Sequence, residues 1–284
     1  MNQAVFLIQT DDRQGLLAAT TTFFSKRKLN IIECRQYTDL QEKRYFMRIA
    51  IDLSTESTRH ELETQFAELA RLLHLQYTIH YSDEVQNIAV MVTKTSHCLY
   101  DLLMHAEENT LGNGRIVMVV GNHPELEAVA DRFRVPFFCY PVVKGKESEQ
   151  EAQLHPLFEK HHIDLIVLAR YMRILSDDFI RRYPQRIINI HHGFLPAFQG
   201  SDPYRQAWER GVKIIGATAH YATAELDEGP IIEQDVVRIT HEDTPEKLRE
   251  IGRDIERRVL TRAVVAHLEH RIILSDRRTI VFGR

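Results

Sequence analysis

The 284-residue sequence predicts an α/β protein of two units: a ferredoxin-like βαββαβ domain, then a Rossmann-like open α/β sheet. Three observations carry this. Residues 1–82 alternate strand and helix patterns in the order βαββαβ, the split unit built on one sheet. From residue 87 the strands become unbroken apolar runs, as expected of parallel strands covered on both faces. Helical patterns separate those runs, the mark of a doubly wound sheet. Length agrees, because a chain of this size exceeds what one core usually holds.

The first strand is Ala4 to Ile8, and Thr10 to Gly15 is a polar turn. Leu16, Ala19, Phe23 and Arg27 then recur at helical spacing. Asn30 to Thr38 and Arg44 to Leu53 read as strands joined by a turn at Asp39 to Glu42. A second helix near Arg59 to Leu73 turns Leu62, Phe66, Leu69 and Leu73 inward, and Leu75 to His80 closes the unit. Residues 83–86 are polar and patternless, which makes them the expected linker. Domains of 1–82 and 87–284 follow.

In the second unit, apolar runs at Ile88–Val92, Ile116–Val120, Phe137–Tyr140, Leu165–Leu168 and Ile187–Ile190 are the parallel strands. Helices fall near His97–Glu107, Glu125–Phe133 and Glu147–His161. Lys213–Ala222 and Pro230–Ile239 are longer strands joined by the loop Thr223–Gly229. Thr244 is placed to cap a long helix and Pro245 suits its first position, with Leu248, Ile251, Ile255 and Val259 on one face. Arg271–Leu274 and Thr279–Phe282 form a hairpin around Ser275–Arg278.

Composition narrows the function. The content is 44% hydrophobic and 27% charged, that of a globular protein. Lys and Arg number 36 against 40 Asp and Glu, with no basic stripe, so nucleic acid is not an expected partner. No apolar run is long enough to span a bilayer. Cys34, Cys98 and Cys139 are few, odd in number and far apart. They fit reduced thiols in the cytoplasm, not a disulfide frame or a zinc site.

The chemistry concentrates at Asn189-Ile190-His191-His192-Gly193-Phe194-Leu195-Pro196 and at Glu225-Leu226-Asp227-Glu228-Gly229-Pro230. Asn189 and His191 are two apart on a strand, so they share a face, at the sheet edge where open α/β sheets bind ligands. An Asn amide can donate to an oxygen gaining charge, and a His carries protons near neutrality. A carboxylate such as Asp227 would hold imidazolium. The three suit moving or hydrolysing an acyl group without a covalent intermediate. Taken singly, each has an ordinary structural reading, a turn bond or a core histidine. His191 and His192 should face apart, with no other ligand at metal spacing, so no metal is expected.

At these residues the chain resembles the folate-dependent formyltransferase family. Asn189-Ile190-His191, Leu195-Pro196 and Leu226-Asp227-Glu228-Gly229-Pro230 match its catalytic segments, and Ala169 to Ser176 its folate-binding segment. The likeness spans about residues 87–284 and implies the formyltransferase type of sheet. Doubled His191-His192, Pro203-Tyr204 and Gly216-Ala217-Thr218-Ala219-His220-Tyr221 are similar to the members that hydrolyse 10-formyltetrahydrofolate. The resemblance implies catalytic roles for Asn189, His191 and Asp227. It implies a pterin pocket lined by Met172, Arg173, Ile174 and Leu175, with Thr223, Ala224 and Glu225 opposite. The folate is the substrate, and no cofactor is implied.

The N-terminal unit resembles an ACT domain on Asp12-Arg13-Gln14-Gly15-Leu16 and Asn30-Ile31. That implies a regulatory domain with an amino-acid effector near Asp12, Gly15, Leu16 and Asn30, and a homo-oligomer. Residue by residue, Asp12 and Gly15 could equally just start a helix. Two positions depart from the hydrolytic pattern: Gly193, where it has serine, and Asp202, where it has a basic or amide residue.

Water is the expected acceptor. Thr93 to Cys98, after the first strand of the second unit, has no glycine and so offers no backbone cradle for an acceptor's phosphate. Lys94 and Ser96 could still hold an anion, which keeps formyl transfer to an amine as an alternative. A third reading is an amino-acid sensor with a degenerate folate site.

Overall fold

The structure, a computed structural model, describes residues 2–53, 59–143, 145, 147–197 and 202–283. The chain divides into two compact units, Met1–Val85 with His270–Arg284, and Gln86–Glu269.

In the first unit, β1 (Gln3–Asp11) buries alternate residues, putting Ala4, Phe6 and Ile8 on one face. Helices α1 (Leu16–Lys26) and α2 (Arg59–Leu72) add Phe23, Phe24, Leu62 and Phe66 to the same core. The Phe6 ring lies 5.0 Å from Phe24 and 4.7 Å from Phe66, within aromatic contact range. Strands β2 (Ile31–Asp39), β3 (Arg44–Asp52) and β4 (Gln76–Tyr81) complete an antiparallel sheet in the order β2-β3-β1-β4.

In the second unit, β5 (Gln86–Val92) is the middle one of five parallel strands. On one side lie β6 (Gly114–Gly121) and β7 (Phe137–Cys139), on the other β8 (Leu165–Leu168) and β9 (Ile187–His191), all parallel. Ile88 to Val92 are fully buried, as unbroken apolar runs require. Beyond β9 the sheet turns antiparallel through β10 (Ile214–Tyr221) and β11 (Ile231–Arg238). The order therefore reverses between β5 and β8, and ligands of open sheets bind at such a reversal.

Helices α3 (His97–Glu107), α4 (Glu127–Arg132) and α5 (Glu147–Lys160) overlap the expected segments. Two short helices are additions: α6 (Asp177–Arg182), capped by Ser176, and α7 (Pro203–Glu209), capped by Asp202. Each is under two turns, too short for a periodic signal. The long helix α8 (Pro245–Leu268) starts as its sequence prescribes, with the Thr244 hydroxyl accepting from the Lys247 N–H and Pro245 in the first turn. Among the described residues no helix is long and apolar enough to cross a membrane.

The tail corrects the expected extent of the second domain, 87–284. Hairpin strands β12 (Ile272–Ser275) and β13 (Arg278–Val281) belong to the first unit. The cause lies in β3, which is buried along both faces. Tyr45, Met47, Ile49 and Ile51 join the helix-covered core, while Phe46 packs with Ile273 and Phe282 of the hairpin. Arg48 donates to the His270 carbonyl at 2.9 Å, Arg278 pairs with Asp39 at 2.9 Å, and the His80 and His270 rings stack at 3.7 Å.

Candidate active site

Strand pairing assembles the first half of the site. Across β9 and β10, Asn189 lies opposite His220 and His191 opposite Thr218. Directly opposed residues project to one face, and Asn189 Nδ2 is 3.2 Å from His220 Nε2. His220 Nδ1 lies 3.0 Å from the Tyr221 carbonyl, a pure acceptor, so that nitrogen carries the proton. In neutral His220 the Nε2 then accepts one amide hydrogen of Asn189, leaving the second amide hydrogen free. A register shift between Ala219 and His220 in the β10–β11 pairing falls at this point, as bulges beside functional sites do.

The β10–β11 connection delivers the acid. Asp227 Oδ2 lies 3.2 Å from His191 Nδ1, and Asp227 Oδ1 lies 3.7 Å from His220 Nε2. One carboxylate thus faces two imidazoles. Burial alone would raise its pKa, but hydrogen bonding and charge from His191 hold it well below the usual carboxylate range. Asp227 sits at φ 58°, a left-handed conformation that is costly outside glycine and recurs at functional sites. Gly229 makes the approach feasible: a Cβ there would stand 1.7 Å from the Tyr221 carbonyl oxygen. With Nδ1 committed to Asp227, His191 Nε2 is buried and has no hydrogen-bond partner among the described residues.

Asn189, His191, His220 and Asp227 all line one cavity of about 350 Å³, within the size range of small-molecule sites. Met172, Arg173, Ile174 and Leu175 form one wall, and Thr223 and Ala224 are on its lining too. Glu225 is not in the lining: it is exposed, and its carbonyl accepts from the Thr223 hydroxyl at 3.0 Å to hold the turn. His192 was expected to face away from His191. It lines the same cavity with its ring 5.5 Å from the His191 ring, because β9 ends at His191 and strand alternation ends with it.

Behind the cavity is a buried ionic cluster that the motif did not reveal. Glu256 on α8 is 1% exposed. Its Oε1 accepts from the Tyr204 hydroxyl at 2.6 Å, and its Oε2 lies 2.8 Å from His97 Nε2 and 3.4 Å from Arg170 Nε. Burial pushes Glu256 upward, but His97, Arg170 and Tyr204 together hold it below its ordinary value. Burial drives the Cys98 thiol well up, which leaves it unreactive.

Other expected contributors lie elsewhere. Lys94 pairs with Glu125 at 3.0 Å. Asp202 caps α7 and pairs with Arg249 at 3.1 Å, so its charge is answered locally. The Gly193 carbonyl accepts from the Thr218 hydroxyl at 2.9 Å. In the first unit, Asp12 and Asn30 are exposed and Leu16 is buried. Gly15, at φ 90°, starts α1 without any side-chain cap, so Asp12 does not cap that helix.

Comparison with known proteins covers the whole chain. Residues 86–264 match the model of a family described as formyl transferase. A formyltetrahydrofolate deformylase of Synechocystis sp. is 45% identical over 99% of this chain and 98% of its own length. One of Bacillus subtilis is 43% identical over 98% and 93%. The crystal structure of a formyltetrahydrofolate deformylase from Pseudomonas syringae pv. tomato superposes with a TM-score of 0.96 at 37% identity, covering 100% of this chain and 95% of that one. A glycinamide ribonucleotide transformylase from Symbiobacterium toebii reaches 0.67 at 31% identity, covering 72% of this chain and 97% of its own.

Proposed function

The chain belongs to the formyl transferase family, and from that premise we propose that it hydrolyses 10-formyltetrahydrofolate to formate and tetrahydrofolate. The observation that carries the mechanism is Asp227 engaging His191 at Nδ1 while His191 Nε2 is left unpartnered in the cavity that Asn189 also lines. The pterin lies between the wall of Met172, Arg173, Ile174 and Leu175 and the wall of Thr223 and Ala224. The formyl oxygen takes the spare Asn189 N–H and the Nε2–H of charged His191. Each such donor is worth about 3–4 kcal/mol as the oxygen becomes anionic. Asp227 sustains the charge on His191. The water oxygen bonds to the formyl carbon and the bond from that carbon to N10 breaks. One water proton ends on N10, and the other is released as formic acid ionises. The chain supplies acid-base and electrostatic catalysis, with water as the nucleophile.

Water as acceptor is supported by the glycine-free segment after β5, where Lys94 is tied to Glu125. It is supported also by deformylase relatives that align over both units, where the transformylase aligns over 72% of the chain. The formate released belongs to one-carbon metabolism and feeds purine biosynthesis. We read the first unit as an ACT regulatory domain that binds a small amino acid near Asp12, Gly15, Leu16 and Asn30. We read the assembly as a cytoplasmic homo-oligomer, for which β2 offers an edge strand bearing exposed Ile32 and Tyr37.

Incubation with 10-formyltetrahydrofolate alone tests the reading. Formate and tetrahydrofolate should appear together in equal amounts. Formyl loss that waits for an added amine would mean a transferase. Amino-acid binding with no folate turnover would mean a sensor.

A further inference from the structure

We propose that Arg170 receives the newly formed formate, its guanidinium serving as the product-anion site of the catalytic cavity. The inference rests on the hydrolytic reading above and deepens it.

Hydrolysis turns a neutral formamide into a carboxylate inside a cavity lined in part by Leu168, Ile174, Ile180 and Leu226. Asp227 already places a negative charge there, and the His191 it faces is engaged by it. A new anion in such surroundings needs a cation that is not already satisfied. Arg170 lines this cavity. It follows β8 by two residues, and β8 ends with Leu168 opposite Asn189, so Arg170 leaves the strand next to the one that carries His191. Its backbone is left-handed, at φ 61°.

The charge of Arg170 is not consumed by its ion pair. Glu256 takes the Tyr204 hydroxyl on one oxygen and His97 on the other. Arg170 Nε stands 3.4 Å from that second oxygen without hydrogen-bond geometry. Arg170 Nε and Nη1 are buried and have no hydrogen-bond partner among the described residues. Unmet buried donors are uncommon in native proteins and ask for an explanation. With Nε turned to Glu256, a carboxylate accepting two parallel N–H bonds from Nη1 and Nη2, the far edge of the planar guanidinium, would give Nη1 the partner it lacks. Glu256 behind the guanidinium then acts as the anchor that fixes its orientation.

The same cluster is poorly suited to a cation. Ligand atoms of His97, Cys98 and Glu256 lie within 4.8 Å of one another. Both Glu256 oxygens are already engaged, and Arg170 places positive charge beside one of them. Cys98 is fully buried with its thiol held protonated.

The test uses the full chain. Initial rates of tetrahydrofolate release are measured against added sodium formate, with sodium chloride at equal ionic strength as control. Formate should inhibit the wild type beyond chloride. Arg170→Met should weaken the formate inhibition constant by about tenfold or more, relative to any change in KM, on losing a charge-assisted pair. Broadening of the [13C]formate NMR signal, measured without substrate, should be present in wild type and lost in the variant. Arg170→Gln serves in the same way should Arg170→Met not fold. Equal formate inhibition in wild type and variant, or no formate-specific effect in wild type by either measurement, overturns the proposal. Should the wild type release no tetrahydrofolate at all, the hydrolytic reading fails, while the NMR comparison still decides whether Arg170 binds formate.

Discussion

Asp227→Asn keeps the shape of the side chain and removes one unit of charge. Charged His191 then loses an anion 3.2 Å from its Nδ1. At an effective dielectric of about 20, Coulomb's law puts that pair at roughly 5 kcal/mol. The asparagine oxygen still accepts from Nδ1 and restores about 1–2 kcal/mol. About 3–4 kcal/mol of support is lost for the charged form of His191, the form that donates Nε2–H to the forming oxyanion. That is a fall in kcat of about 10²- to 10³-fold. The folate walls are untouched, so KM should stay within about threefold of wild type. The assay is single-turnover release of formate and tetrahydrofolate, with circular dichroism to establish folding. A folded Asp227→Asn enzyme that keeps more than about a third of wild-type formate release would refute the role of this carboxylate.

Gly229→Ala should mimic that loss without touching a reacting group. Its Cβ would overlap the Tyr221 carbonyl at 1.7 Å, so the loop must withdraw and take Asp227 with it. We expect a kcat as low as that of Asp227→Asn and about 2–3 kcal/mol of lost stability in denaturant melts; wild-type kcat would mean that this turn does not place the acid. His220→Ala removes the acceptor 3.2 Å from Asn189 Nδ2 and leaves the amide free to swing. It should lower kcat by about ten- to a hundredfold with little change in KM, and an unchanged kcat would leave His220 a structural residue. Because the folded pKa of Asp227 is depressed, its contribution to stability is fully present above the unfolded value of about 3.9 and is lost as pH falls through the folded one. The stability gap between wild type and Asp227→Asn should therefore shrink as pH falls below about 4; urea melts in which the gap stays constant from about pH 5 down to about 2 would contradict a carboxylate held low.

Much of the fold was legible because its signals are local. Unbroken apolar runs marked β5 to β9, and Thr244 with Pro245 marked the start of α8. The destination of the tail was not local. The hairpin of β12 and β13 follows the second unit in sequence, but its cover lies on β3. A clue was present, since Tyr45-Phe46-Met47 and Ile49-Ala50-Ile51 are apolar on both faces where a sheet open to water on one side should alternate. Such a strand needs a second cover, though nothing in the run says which segment supplies it.

The site divides along the same line. Asn189 and His191 share a strand face, and the Asp227–Gly229 turn carries its own explanation, so these were within reach of pattern reasoning. His220 enters through the register of β9 against β10, and a register one residue different would send it to the other face. Glu256 was hidden for another reason. It follows Ile255 on α8, and a charged residue in a long helix reads as its solvated side. The hint lay four residues earlier, in Gly252, a residue that costs about 1 kcal/mol in a helix interior. A Cβ there would stand 2.2 Å from the Tyr204 ring, so the glycine admits the tyrosine whose hydroxyl reaches Glu256 one turn along. His97 from α3, Tyr204 from α7 and Arg170 from the end of β8 thus converge on a single acid, and removing any one leaves a buried charge short of a partner. A set of contacts drawn from four separate elements has no signature along the chain, yet it holds Arg170 at the wall of the cavity beside the strand that bears His191.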